Sequence, residues 1–295
     1  MTPLGALCIA AAASGAPTPT GSAGVRVGAG FASNLDHAEV PSEAASGAAW
    51  RVDADGAVGL QAGDWWGGLS LQGGYAGWPA WPALSSAAAA LALPVSWSPT
   101  PRVGLGLLPR LTARWVADDA RSALGPGIGG SAKVRPTRAW SVRTSLSYSW
   151  VPATEAVFDE RTLRWAAGTE LHPWRRTWIY GEYGLSGGPT VVYDVIPTTT
   201  TSARKTGAGG GQGGDGQGDG QGGDGKPAPV PDPVFGTDVL ARQVPGLGHD
   251  VLLEVEQGFT DWSFVRVWAG WSRWSVAPAA FEGWTGGVAL GVRTK

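Results

Sequence analysis

Gly184-Leu185-Ser186-Gly187-Gly188 has the G-x-S-x-G spacing in which a sharp strand-to-helix turn presents a serine nucleophile. That chemistry needs a helix after the serine and a histidine within hydrogen-bond reach. Here a glycine-rich connection follows, and His172 falls at the opposite end of its expected hairpin. The motif reads as a glycine-rich strand end, and no enzyme is expected. His37, His172 and His249 stand singly and Cys8 is the only cysteine, so neither a metal set nor a disulfide framework is expected. Gly125-Pro126-Gly127-Ile128-Gly129-Gly130 lacks the Lys-Ser/Thr of a phosphate loop, and no cofactor is implied. Gly213-Gly214-Asp215-Gly216 looks like a calcium-binding Gly-Asp repeat, but the next acid, Asp219, comes one place late and the repeat's apolar position is missing.

The remaining charged side chains follow a different rule: they alternate with apolar residues. The chain of 295 residues holds 47 Gly, 22 Pro and 17 Trp with only 16% charged, which disfavours long helices and a charge-rich disordered chain alike. Its 22 basic and 24 acidic residues balance, so no nucleic-acid partner is expected. Residues 1–16 read as an export signal, with Leu4 to Ala13 apolar, no basic residue ahead of it, and Ser14-Gly15-Ala16 supplying small residues for cleavage. No later apolar run is long enough for a transmembrane helix.

From Val25 onward the period is two. In Trp50 to Ala62 the even positions Trp50, Val52, Ala54, Val58 and Leu60 are apolar, while Arg51, Asp53, Asp55 and Gln61 are polar. Gly63-Asp64 then turns the chain into Trp65 to Gly77, and pairing across it sets Val58 opposite Leu69 and Val52 opposite Tyr75. Further strands are expected at Val25 to Asn34, Leu91 to Trp97, Val103 to Trp115, Pro126 to Arg135, Trp140 to Trp150, Arg161 to Leu171, Thr177 to Ser186, His249 to Gly258, Trp262 to Trp274 and Gly283 to Arg293. That makes twelve, with ten or fourteen as neighbouring counts, joined alternately by short turns and long loops. The longest loop, 187–248, holds the insert 207–225, whose Gly, Gln and Asp composition cannot bury enough apolar surface to order itself.

Tryptophan separates a soluble sandwich from a barrel crossing a bilayer. Trp50, Trp65, Trp97, Trp115, Trp140, Trp150, Trp174, Trp178, Trp262, Trp274 and Trp284 fall at or near strand ends, with Trp78 and Trp81 just beyond one, where aromatic girdles meet the two interfaces. Strands of about 11 residues tilted by about 40° rise roughly 28 Å, enough for a hydrocarbon band of roughly 25 Å. With the export signal, residues 17–295 resemble bacterial outer-membrane β-barrel proteins, although the chain ends Arg293-Thr294-Lys295 and not on an aromatic residue. The resemblance implies an all-β fold, a closed antiparallel transmembrane barrel in the outer membrane of a Gram-negative bacterium, with periplasmic short turns and long extracellular loops.

If apolar residues face lipid, the polar set lines the lumen. It comprises Arg26, Arg51, Arg102, Arg110, Arg114, Lys133, Arg135, Arg143, Arg164, Arg266 and Arg293 against Asp53, Asp55, Glu170, Glu182, Glu254 and Glu256, and pairing across the Phe259 turn sets Glu254 opposite Arg266. The basic excess of five, among small residues such as Gly104, Ser145 and Gly291, points to a narrow passive channel for small, preferentially anionic solutes. The alternative is a closed structural or surface-binding barrel acting on a surface ligand through the loop 187–248. Expected partners are outer-membrane lipids and a small-molecule solute; the sequence sets no oligomeric state.

Overall fold

A computed structural model describes residues 17–34, 45–195, 230–232, 234–235, 239–276 and 279–294. The expected signal, 1–16, and the insert 207–225 lie outside the described residues. The strands are β1 (Thr18–Ala32), β2 (Gly47–Ala62), β3 (Trp65–Gly77), β4 (Ser86–Ala92), β5 (Val95–Thr100), β6 (Val103–Val116) and β7 (Ala123–Val134), then β8 (Trp140–Val151), β9 (Glu160–Trp174), β10 (Thr177–Val195), β11 (Val230–Pro231), β12 (Val239–Gly258), β13 (Ser263–Val276) and β14 (Ala279–Arg293). Neighbouring strands pair antiparallel, β1 closes on β14 and β10 closes on β12, so the sheet has no open edge.

Twelve staves form the barrel, as the alternation implies. The expected strand through Leu91 and Trp97 is two segments, β4 and β5, because Pro94 offers no N–H to the ladder. Both segments pair with β3 and β6 and so count as one stave. Across the gap the Leu93 amide donates to the Pro109 carbonyl at 3.0 Å, and the Gly68 amide donates to the Pro94 carbonyl at 3.0 Å. Among the described residues the two-residue β11 pairs with β12 alone, outside the ring.

The β2–β3 hairpin has the expected register, Val58 opposite Leu69 and Val52 opposite Tyr75. Its tight turn needs a positive φ, which Gly63 adopts at 58°. Elsewhere strands outrun the sequence reading. β10 and β12 continue past Gly187 and Gly248 to Val195 and from Val239, with Pro189 opposite Pro245, so the connection expected at 187–248 covers 196–238. Glycine and proline suggest a loop there, yet Thr190 to Tyr193 restores β-branched and aromatic residues that extend the hairpin. Likewise the long connection expected after Trp274 shrinks to 277–278.

Large apolar side chains point outward around the whole ring. Val58, Leu71 and Leu290 are 61%, 59% and 62% exposed, which only a lipid environment makes favourable for a continuous band. At its borders, outward Trp50 packs on Tyr75 with ring centroids 4.9 Å apart, and Trp65 stacks on Trp97 at 5.9 Å. Trp115, Trp140, Trp150, Trp262 and Trp284 add to the two girdles. Trp178 and Trp274, assigned to the girdles by sequence, instead sit on the inner face, because each falls on the parity of the lumen residues of its strand. The small buried clusters, Val157 with Phe158 and Ala241, and Val192 with Val276 and Phe281, lie at the long-loop end.

Candidate functional site: the lumen

Strand alternation puts one charged residue of β1 and three of β2, Arg26 with Arg51, Asp53 and Asp55, on the face opposite the lipid belt. Arg51 Nε donates to Asp53 Oδ1 at 2.7 Å, and Arg26 lies 3.6 Å from Asp55. Arg26, Arg51 and Asp53, with Gln72, Ala90 and Thr112, border a cavity of about 350 Å³.

A denser network crosses β8, β9, β10 and β12. Arg164 Nη2 donates to Glu182 at 2.8 Å and to Asp250 at 2.7 Å. Arg143 reaches the Tyr180 hydroxyl at 2.6 Å and Glu182 at 3.3 Å, and the Tyr180 hydroxyl itself bonds Glu182. At the short-turn end Arg266 bonds Glu256 at 2.8 Å and lies 3.3 Å from Glu254, while Arg293 lies 2.8 Å from the other Glu256 oxygen. Arg114 pairs with Glu160 at the long-loop end, and Lys133 pairs with Glu170 at 2.7 Å. The partly exposed pairs each contribute at most about 1 kcal/mol of stability, whereas Glu256 is buried between its two arginines. Their structural effect is to fix where the side chains stand.

The register of one pair differs from the sequence reading: Arg266 stands opposite Glu256, and Glu254 opposite Trp268. The cause is the turn. The Thr260 hydroxyl accepts from the Trp262 and Ser263 amides at 3.2 and 2.9 Å, drawing Trp262 out of β13 into a four-residue turn. Arg266 still spans both carboxylates.

Arg110 is different. It is exposed on the inner face and makes no ion pair with the described residues. It lies between Ala92 and Gly127 in the ladder, and a Cβ on Gly127 would come 2.9 Å from Arg110 Nε, so glycine is what lets the guanidinium lie across β7. The inner face around it is small: Ala88, Ala90 and Ala92 on β4, Gly125, Gly127 and Gly129 on β7, Ser145, Ser147 and Ser149 on β8. Opposite, Phe264, Trp268 and Trp274 fill β13, their rings lying over Gly291, Gly287 and Gly248 respectively. The small side chains of the inner face are therefore gathered on β4, β7 and β8, away from the aromatic layer.

Arg102, assigned to a strand by sequence, stands in the β5–β6 turn, and Arg135 in the β7–β8 turn. Two acids went unrecognised. Asp250 shares the parity of Glu254 and Glu256, which was the available signal; Glu160 looks like loop sequence but begins β9. With Arg102 and Arg135 off the strand wall and both acids counted, nine of the expected basic residues stand against eight acids, an excess of one in place of five. Ser186 is buried inside β10 beside Arg164, not at a strand end, and its ladder partners are Arg164 and Gly248.

At the long-loop end Arg121 is the hub. It bonds Asp118 at 2.8 Å, the Tyr193 hydroxyl at 2.8 Å and the fully buried Asp232, and lies 4.5 Å over the Phe158 ring. Burial alone would lower its pKa, but Tyr193 and the two carboxylates more than reverse this and raise it, so the guanidinium stays charged.

No family model and no curated protein matches the chain by sequence. Among solved structures it is similar to an outer-membrane channel from Pseudomonas putida F1, with 11% identity, a TM-score of 0.53, and coverage of 93% of this chain and 95% of that one. It is also similar to the NanC porin, at 8% identity, a TM-score of 0.47 and coverage of 92% and 99%. The KdgM porin in complex with disordered oligogalacturonate gives 9%, 0.43, and 92% and 98%. The closed ring, the outward apolar belt and the likeness to the Pseudomonas channel define the fold as that of a bacterial outer-membrane β-barrel.

Proposed function

We propose that this outer-membrane barrel is a narrow passive channel that prefers small anions. The observation that carries the reading is Arg110, the charged residue of the mid-barrel wall without a carboxylate partner among the described residues, set in the sector lined by Gly, Ala and Ser. The paired arginines present little net field, whereas an uncompensated guanidinium inside a low-dielectric wall attracts anions over the length of the constriction. Nothing in this chemistry calls for catalysis; Ser186 lies beside arginine and glycine and serves packing. The similar proteins named as channels and porins agree in kind.

The test is flux. Proteoliposomes carrying the purified barrel and an enclosed halide-quenched dye should lose fluorescence on chloride addition faster than on adding a salt with an impermeant anion. Empty-liposome rates for every salt would sink the channel reading and leave the surface-binding one. That second reading is favoured by one feature, the tall β10–β12 hairpin pinned by Arg121, which presents a built surface above the barrel.

A further inference from the structure

At the short-turn end a cavity of about 880 Å³ opens between the β5–β6, β7–β8 and β9–β10 hairpins. Three arginines border it, Arg102, Arg135 and Arg138. None makes an ion pair with the described residues. Their backbone is fixed: the Arg135 amide donates to the Arg102 carbonyl at 2.7 Å, and Thr100 Oγ1 accepts from the Arg102 and Val103 amides at 3.3 and 3.1 Å. The next hairpin is tied in by the His172 amide, which donates to the Ala139 carbonyl at 2.7 Å.

The floor is already neutralised. Lys133 and His172 both contact Glu170, at 2.7 and 2.8 Å, and Ser141 Oγ donates to the same carboxylate at 3.2 Å. Glu170 is therefore engaged on three sides, and none of the three arginines pairs with it. On the inner wall the Trp178 ring is held by His172, with centroids 4.7 Å apart, and by Arg293 at 5.3 Å. Three arginines without carboxylate partners around one cavity suit a ligand with several acidic oxygens, because guanidinium forks match carboxylate and phosphate geometry.

We infer that this cavity is a binding site for a small multiply charged anion, a polycarboxylate or phosphate, at the periplasmic mouth of the barrel. The inference rests on the assignment of the short turns to the periplasmic side but not on conduction, since a closed barrel would bind the same ligand there. Its walls include the lumen-facing Lys133, Ser141 and Trp178, so the ligand arrives from water and not from the bilayer.

The experiment is calorimetric titration of inorganic pyrophosphate into the full-length barrel in a zwitterionic detergent, with two variants beside the wild type. One site per chain is expected, weakened about ten-fold or more in the R102S/R135S/R138S variant. Arg175→Ser, in the neighbouring β9–β10 turn but outside the cavity, should bind as the wild type does. Absence of binding by the wild type, equal affinity in the triple variant, or an equal loss in Arg175→Ser would each overturn the site. If the triple variant lacks the heat-dependent shift of a folded barrel, the single Ser variants decide, each expected to weaken binding and each overturning the proposal if all three are unchanged. Channel activity is scored separately by the halide assay, so its failure is distinguishable from failure of this site.

Discussion

Arg110 and Arg143 occupy similar wall positions but differ in surroundings. Arg143 is held by Tyr180 and Glu182, whereas the ladder neighbours of Arg110 are Ala92 and Gly127. Arg110→Ser should therefore lower the chloride-to-potassium permeability ratio by about two-fold or more, and Arg143→Ser, which takes one of two arginines from Glu182, should lower it as well. Single-channel recordings of each variant check this; unchanged ratios in both would remove the two arginines from the conduction path. A second residue-scale prediction concerns Arg121. Removing it leaves Asp232 buried without its cation, a loss of about 3–5 kcal/mol for the docked segment. Arg121→Ala should accelerate amide exchange at Val230, Asp232 and Val239 while the barrel strands stay protected, and uniform protection throughout would contradict it. The parity of Arg51, Asp53, Arg143, Arg164 and Arg266 was legible from alternation alone, yet partners were not. Which carboxylate meets which arginine depends on ladder register, and one hydroxyl, that of Thr260, moved Arg266 from Glu254 to Glu256.

Strands were legible wherever apolar and polar residues alternate, as in β2, β3, β6 and β8, and blurred where glycine and proline interrupt the period. Gly187-Gly188-Pro189 sits inside β10 because it meets Pro245-Gly246-Leu247 across the ladder, a pairing no local pattern announces. Glycines inside these strands serve the aromatic residues that pack over them. A side chain at Gly287 would meet the Ala29 carbonyl and the Trp268 ring, whereas one at Gly187 meets nothing within 4 Å. Gly287→Val should therefore cost about 1–3 kcal/mol, and Gly187→Val less than about 0.5 kcal/mol. Urea unfolding followed by tryptophan fluorescence in lipid vesicles measures both, and equal midpoints would show that the inner aromatic layer is not tightly packed.

For the whole molecule the closed ring was readable because an outward apolar belt and two tryptophan girdles leave a distinctive order in the sequence. The inner aromatic layer was not, since Trp178, Trp268 and Trp274 differ from girdle tryptophans only in parity. The ring is independent of the insert: deleting Thr206 to Lys226 should leave the heat-dependent electrophoretic shift intact, because the strands on either side pair without it. Loss of that shift would make the segment structural. The claim that joins these scales is that the arginine-marked lumen conducts anions. Its most direct measurement is the reversal potential of the wild-type barrel in a planar bilayer under a potassium chloride gradient. The account predicts single-channel conductance with a reversal potential displaced toward the chloride equilibrium value; displacement toward the potassium value, or a bilayer that stays silent, would contradict it.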